Sequence, residues 1–143
     1  MAITSAICNS FKTEILTGTH NFSSSGGNTF NLALYTSDAS LGASTTAYTT
    51  SNEVSGSGYT AKGNALTSTT PALSGSTAVC DFADTSFTSA SFTARGCLIF
   101  NDSATGDPAV CAIDFGSDKT VTSGTFTIQF PTADASNAII RIA

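Results

Sequence analysis

Charged side chains are scarce in this sequence. Asp, Glu, Lys and Arg together make up 10% of its 143 residues, against roughly 25% in an ordinary soluble domain. Only five residues are basic and the formal net charge is −5, so the chain has no basic patch that would neutralise nucleic-acid phosphates. No apolar run approaches the roughly 20 residues of a membrane-spanning helix. We therefore expect no nucleic-acid partner and no membrane span.

Catalytic and metal-binding side chains are scarce as well. Histidine occurs once, as His20, and tryptophan is absent. A single histidine excludes a multi-histidine metal site, and it gives a Ser–His–Asp triad little support because serines and carboxylates are abundant. We interpret His20 as a solvated or hydrogen-bonded loop residue. Nucleotide-loop, hydrolase and metalloprotease motifs are missing, so we predict no enzyme activity, no catalytic residue, no metal and no cofactor.

Four cysteines are present without a CxxC pair, which makes a zinc site unexpected. We interpret them as free, mostly buried thiols of a protein assembled in a cytoplasm. An alternative stays open for Cys97 and Cys111, which flank a predicted turn and could form a disulfide if the strand register placed them opposite each other. The N-terminal residues lack the features of a signal peptide, so we expect no export by the usual route.

Serine, threonine and asparagine take the place of the missing charge. Such hydroxyl-rich, charge-poor surfaces suit sheet faces and contacts with other proteins. The length predicts one domain, residues 1–143, with its main sheet strands within 59–143. Short apolar runs between frequent turn signals predict an all-β fold, an antiparallel β-sandwich of jelly-roll type. Outside the central stretch described next, strands are predicted at 29–36, 64–70, 77–83 and 138–142.

The best-defined stretch is a predicted three-strand meander. Its strands cover 92–101, 109–115 and 125–130, with turns at 101–108 and 116–118. Alternation places Phe126, Ile128 and Phe130 on one face of the last strand. The turns carry four carboxylates, which we interpret as backbone-shaping groups, with Asx turns predicted for Asp102 and Asp118; the other two are Asp107 and Asp114.

One helix is predicted, over residues 4–17, because apolar residues recur every four positions. The recurring residues are Ile3, Ile7, Phe11 and Ile15. Thr4 or Ser5 would cap its start, and Gly18 stands where a left-handed C-terminal residue is favoured. The apolar stripe of this short amphipathic helix must pack on the sheet or on a neighbouring subunit.

A long polar stretch, residues 37–58, separates the early strands from the rest. Tyr48 and Val54 are nearly its only large apolar residues. A loop of this length within a small domain is usually functional or mobile, and we predict an extended arm that orders on contact. The helix, this stretch and the residue directly after it contain the predicted interface residues, which are Ile7, Phe11, Ile15, Tyr48, Val54 and Tyr59.

Three stretches resemble small virion structural proteins of tailed bacteriophages. They are NEVSGSGYTAKG at 52–63, TFNLALYTSDASL at 29–41 and FNDSATGDPAVCAIDFGSDKTVTSGTFTIQF at 100–130. The similarity spans nearly the whole chain. These are motifs of turns and strands, so they specify a fold more than an activity. One departure is that an aromatic residue, commonly tryptophan, often follows the TIQF position in the family, whereas here Phe130-Pro131 ends the strand.

The resemblance implies a non-enzymatic head-decoration, or cement, protein. Such a protein would be located in the virion after assembly in the host cytoplasm. It would bind the major capsid protein lattice or another virion protein, and it would form a homo-oligomer, a dimer or a trimer. Two alternatives stay open: a tail, baseplate or fibre component, and a receptor- or glycan-binding module on the virion surface.

Overall fold

Two antiparallel sheets and one short helix form the fold in the computed structural model, which describes residues 2–143. The larger sheet has the strand order β1-β7-β6-β2-β3 and the smaller one β4-β5-β8. The prediction of an all-β antiparallel sandwich with one short N-terminal helix is confirmed. The elements are β1 (Ala6–Ile7), α1 (Asn9–Leu16), β2 (Phe30–Tyr35), β3 (Asn64–Ala65), β4 (Ser68–Ser74), β5 (Thr77–Phe82), β6 (Thr85–Asn101), β7 (Ala109–Ile128) and β8 (Ile140–Ile142).

Strand β2 lies at the centre of the core. All six of its residues are buried, so protein covers both of its faces. Its register with β6 places Leu32 opposite Ile99 and Leu34 opposite Cys97. Strands β1 and β2 also belong to the larger sheet, so its strands are not all within 59–143. The sheet draws on both halves of the chain.

The predicted meander is a long hairpin of two strands. The turn at 101–108 is confirmed, but β7 continues through the predicted turn at 116–118. Gly96 pairs with Asp114 and Ala94 pairs with Lys119, so four residues of β7 bulge opposite Arg95. The Asp114 carboxylate accepts the Gly116 N–H at 3.0 Å. This local bond uses the turn-forming residues to kink the strand without reversing it.

Two further irregularities bend the outer half of the hairpin, which is the half farther from the turn at 101–108. They lie near Ser89 and Ser123, both of which have positive φ angles (49° and 47°). The bending brings the aromatic rings of this half together, with the Phe92 and Phe126 centroids 5.2 Å apart. Bulges of this kind bend a sheet and increase its twist, and here they let one hairpin reach from the central sheet toward the smaller one.

The N-terminal helix is shorter than predicted, because it begins at Asn9 and not at residue 4. Residues 6–7 pair with β7 instead, with Ile7 opposite Cys111. The caps predicted at Thr4 or Ser5 are therefore wrong, and the Ser5 hydroxyl accepts the Asp114 N–H at 2.9 Å. The predicted left-handed residue after the helix is confirmed, since Gly18 has φ 77°.

Residues 37–58 contain no named helix or strand, but they do not project as a free arm. Ala39, Leu41 and Val54 are buried in the hydrophobic core. Isolated bridges tie the loop to the body, among them Ile3–Leu41 and Tyr35–Glu53. The predicted arm is corrected to an ordered loop, because burial of its few apolar side chains stabilises the packed position and its backbone bonds to the body, as the Val54 N–H does to the Leu34 carbonyl at 2.9 Å.

The strand predicted at 64–70 is divided between β3 and β4. Pro71 lies inside β4 and not at its end, at a bulge between Thr69 and Ala72. Proline is tolerated there because β4 is an edge strand, where a missing N–H breaks no inner ladder. Leu73 belongs to β4, and the turn that leads into β5 lies at Gly75, which has φ 64°.

Candidate functional site

The Glu53 carboxylate holds the loop 37–58 onto the body. The hydroxyls of Tyr48 and Tyr59 each donate to it at 2.6 Å, and the Lys62 backbone N–H donates at 2.8 Å. The Tyr59 hydroxyl also accepts the Leu34 N–H at 2.9 Å. Burial, together with the hydrogen bond to Glu53, raises the pKa of Tyr48 to about 12, and the same two causes raise the pKa of Tyr59 further. These phenols are structural donors.

Lys62 joins this cluster to the turn at 101–108. Its Nζ lies 2.8 Å from both the Asp102 and the Asp107 carboxylates, and 5.7 Å from the centroid of the Tyr48 ring. The two carboxylates raise the pKa of Lys62, so the amine remains a cation and is not a nucleophile. Asp102 therefore forms an ion pair in place of the predicted Asx turn.

Neighbouring residues take the two predicted Asx roles. Asn101 Oδ1 accepts the N–H groups of Ser103 and Ala104, and Asp114 accepts from Gly116. Asp118 lies at an ion-pair distance of 3.9 Å from Arg95. The bond from Gly116, and after it the bond from Arg95, lowers the pKa of Asp114. The carboxylates of the hairpin thus have structural roles: they accept backbone N–H groups or form ion pairs with Lys62 and Arg95.

His20 is buried with both ring nitrogens occupied. Its Nε2 lies 3.0 Å from Glu14 Oε1 and its Nδ1 lies 3.1 Å from Asn101 Nδ2. Because Asn101 Oδ1 already accepts two backbone N–H groups, the Asn101 amide nitrogen faces the ring and donates. The ring accepts at Nδ1 and donates from Nε2 to Glu14. The interpretation of His20 as hydrogen-bonded is confirmed, and no ring nitrogen is left for a substrate.

All four cysteines are free, as interpreted, and three of them are buried. The alternative disulfide is wrong because the register places Cys97 opposite Ile113 and Cys111 opposite Ile99, a two-residue offset. Burial raises the pKa of Cys80 to about 11, so the half-buried thiol stays protonated near neutral pH. A reactive thiolate is therefore not present at this position.

The smaller sheet extends its core-facing side beyond the core. Leu73 pairs with Ala78, and Ala78 pairs with Ile142, so these three side chains form one row across the sheet. Alternation places Ala78 on the same face of β5 as Phe82, which packs 6.1 Å from Phe30 within the core. The row therefore continues an inner face past the point where the larger sheet covers it. We call Leu73, Ala78 and Ile142 the overhanging row.

The overhanging row is exposed to a degree unusual for its residue types. Leu73 is 73% and Ile142 is 58% exposed, and Leu16 is the one other large hydrophobic residue among 2–143 that is exposed. A groove of about 410 Å³ lies beside the row. Its apolar lining includes Ile15, Phe22, Pro71, Ala78, Ile140 and Ile142. An apolar row continuous with an apolar groove is typical of a protein-contact surface.

The predicted interface residues are placed differently. Phe11 and Val54 are buried in the core, and Ile7, Tyr48 and Tyr59 are half-buried against it. Ile15 alone lines the groove beside the overhanging row. The prediction missed Leu73 and Ile142. The strand predicted at 138–142 contains Ile142, but Leu73 lies between the strands predicted at 64–70 and 77–83 and was placed in neither.

Within residues 2–143, no helix is long and apolar enough to cross a membrane, and no group of three or more His, Cys, Asp or Glu side chains could hold a metal ion. Comparison with known proteins finds no family model, no curated protein and no solved structure that matches this chain.

Proposed function

We propose that this chain is a non-enzymatic structural protein of a tailed-bacteriophage virion that binds and stabilises the capsid lattice as a head-decoration protein. The observation that carries the proposal is the overhanging row. An inner sheet face with Leu73 and Ile142 in solvent lacks the cover that a two-layer sandwich provides, and a second protein would supply it. The strands and turns resemble those of small virion proteins, and this resemblance supports a virion protein as the partner.

The charge-poor surface supports the same function. A lattice-binding protein must remove water from its contact surface, and hydroxyl groups lose less on desolvation than charges do. Each contact of this kind contributes a modest affinity, but a symmetric oligomer that makes several such contacts at once binds the lattice much more tightly. A homo-oligomer, as expected from the sequence, would present several overhanging rows at once.

The test is incorporation into particles of a double variant, Leu73→Ser with Ile142→Ser. Both side chains are largely exposed, so we expect the free energy of unfolding to change by only about 0.5 kcal/mol, while incorporation falls at least tenfold. Leu16→Ser is the matched control, because Leu16 is 87% exposed and does not line the groove. Normal incorporation of the double variant would refute the proposed contact.

Copy number in purified particles separates the alternatives. Hundreds of copies would support the head, whereas a single ring of subunits would support a tail or baseplate component. A receptor- or glycan-binding module is tested by a glycan array and by binding of the isolated protein to host cells. Binding there would favour that module over a decoration protein, since decoration requires no contact with the host.

A further inference from the structure

A second groove, which shares no lining residue with the first, lies along the part of β7 that is farther from the turn at 101–108. Its volume is about 620 Å³, within the range of roughly 300–1,000 Å³ that is typical of sites for small organic ligands. Fully buried Cys97 and half-buried Ile113 lie at its inner end. The walls are mainly apolar, with Phe115, Phe126, Ile128 and Phe130 as their main side chains.

Lys119 is the one charged residue that lines this groove. It is exposed, and no carboxylate of residues 2–143 lies within the 4.0 Å of an ion pair. The other cations of the hairpin region differ, because Lys62 and Arg95 are held by carboxylates. An apolar groove with one uncompensated cation is complementary to a molecule that has an apolar chain and one negative charge.

We propose that this groove binds an anionic amphiphile with a single unbranched chain, of the class of long-chain carboxylates. The chain lies against the phenylalanine and isoleucine walls, and the carboxylate faces Lys119. An added peptide strand is the weaker fit, because the bulge opposite Arg95 and the irregularity near Ser123 interrupt the edge of β7 on which a strand would pair. The proposal is independent of the decoration function and uses a different surface.

The test is calorimetric titration of the full chain with decanoate, dodecanoate and tetradecanoate, each below its micelle concentration. We expect the dissociation constant to fall about fourfold for every added methylene until the groove is filled. Dodecanol and dodecyltrimethylammonium have the same chain with no charge or the opposite charge. We expect dodecanoate to bind most tightly of the three.

Two variants locate the site. Lys119→Gln should weaken dodecanoate about fivefold, as expected for an exposed ion pair, and leave dodecanol unchanged, whereas the control Lys12→Gln should change neither. Ile128→Asn, checked for native folding by circular dichroism, should weaken both ligands at least tenfold.

Three results would overturn the proposal. The first is the absence of binding by all three carboxylates, and the second is equal loss of dodecanoate and dodecanol in Lys119→Gln. The third is a sedimentation-detected dimer that Ile128→Asn converts to monomer, because a second copy would then fill the groove.

Discussion

Replacement of Tyr59 by phenylalanine removes one oxygen atom and is expected to lower the free energy of unfolding by about 3 kcal/mol. The hydroxyl donates to Glu53 at 2.6 Å and accepts the Leu34 N–H at 2.9 Å. A hydrogen bond to a charged group contributes about 1.5–3 kcal/mol, and an unsatisfied buried amide costs about 1–3 kcal/mol. Partial relaxation around the amide places the expected total in the lower half of the combined range.

Tyr48→Phe is the matched control for this prediction. Its hydroxyl makes the same 2.6 Å bond to Glu53, but the backbone N–H beside it, that of Lys62, donates to the Glu53 carboxylate at 2.8 Å, so the loss of the Tyr48 hydroxyl leaves that N–H paired. We therefore expect a loss of about 1.5 kcal/mol. The difference between the two variants, about 1.5 kcal/mol, measures the buried Leu34 amide.

Urea unfolding followed by circular dichroism measures both losses. A double-mutant cycle of Tyr59→Phe with Glu53→Gln then isolates their coupling, which we expect to exceed about 1 kcal/mol. Equal losses for the two tyrosine variants would refute the assignment of Leu34 to the Tyr59 hydroxyl. A coupling energy near zero would refute the shared role of the Glu53 carboxylate.

Three other predictions concern the backbone, the phenols and the thiols. Gly63→Ala should lower the free energy of unfolding by more than about 3 kcal/mol, measured in urea, because Gly63 has φ 66° and a Cβ there would collide with the Leu32 carbonyl. The pKa of Tyr48 is raised to about 12, above the ordinary value near 10. The stability that its protonated hydroxyl contributes is therefore complete below pH 10 and is lost as the pH rises toward 12. Urea unfolding midpoints measured between pH 9 and 12 should fall accordingly. Burial raises the pKa of Cys8 to about 11 and that of Cys111 to about 12. A thiol-specific disulfide reagent at pH 8 should therefore modify these two thiols only as fast as the protein unfolds. Faster modification in the folded state would contradict their burial.

Local patterns predicted most of the strands because alternation and turn residues lie close together in the sequence. They did not distinguish a turn from a bulge at 116–118, since both use glycine, serine and aspartate. The difference depends on Arg95 and Asp114, which meet at 3.0 Å across the hairpin from positions far apart in the chain. Likewise, a four-residue spacing fits Ile7 in a helix, but pairing with β7 places it in a strand.

The candidate surface was harder to predict than the fold. Ile142 follows Ile140 at the spacing of a core-facing strand residue, whereas Leu73 lies outside the strands predicted from the sequence. In the structure both residues belong to the core-facing side of the smaller sheet. Whether such a residue is covered depends on how far the opposite sheet extends, which no local pattern encodes. Glu53 was missed as the anchor of the loop for a related reason: a single carboxylate in a polar stretch gives no sign that two tyrosine hydroxyls converge on it.

Deletion of residues 39–56 is expected to unfold the protein and not merely to remove a partner contact. The deletion removes three buried apolar side chains and the Glu53 carboxylate, and thermal unfolding of the isolated chain would show the loss directly. A sharper test of the loop is the variant Ser44→Lys with Thr50→Lys, because both residues are exposed and their side chains donate or accept no hydrogen bond within residues 2–143. This variant should keep its unfolding temperature and its incorporation into particles. Reduced incorporation at an unchanged unfolding temperature would show that the loop itself contacts the proposed partner, and the proposed contact surface would then extend beyond the overhanging row.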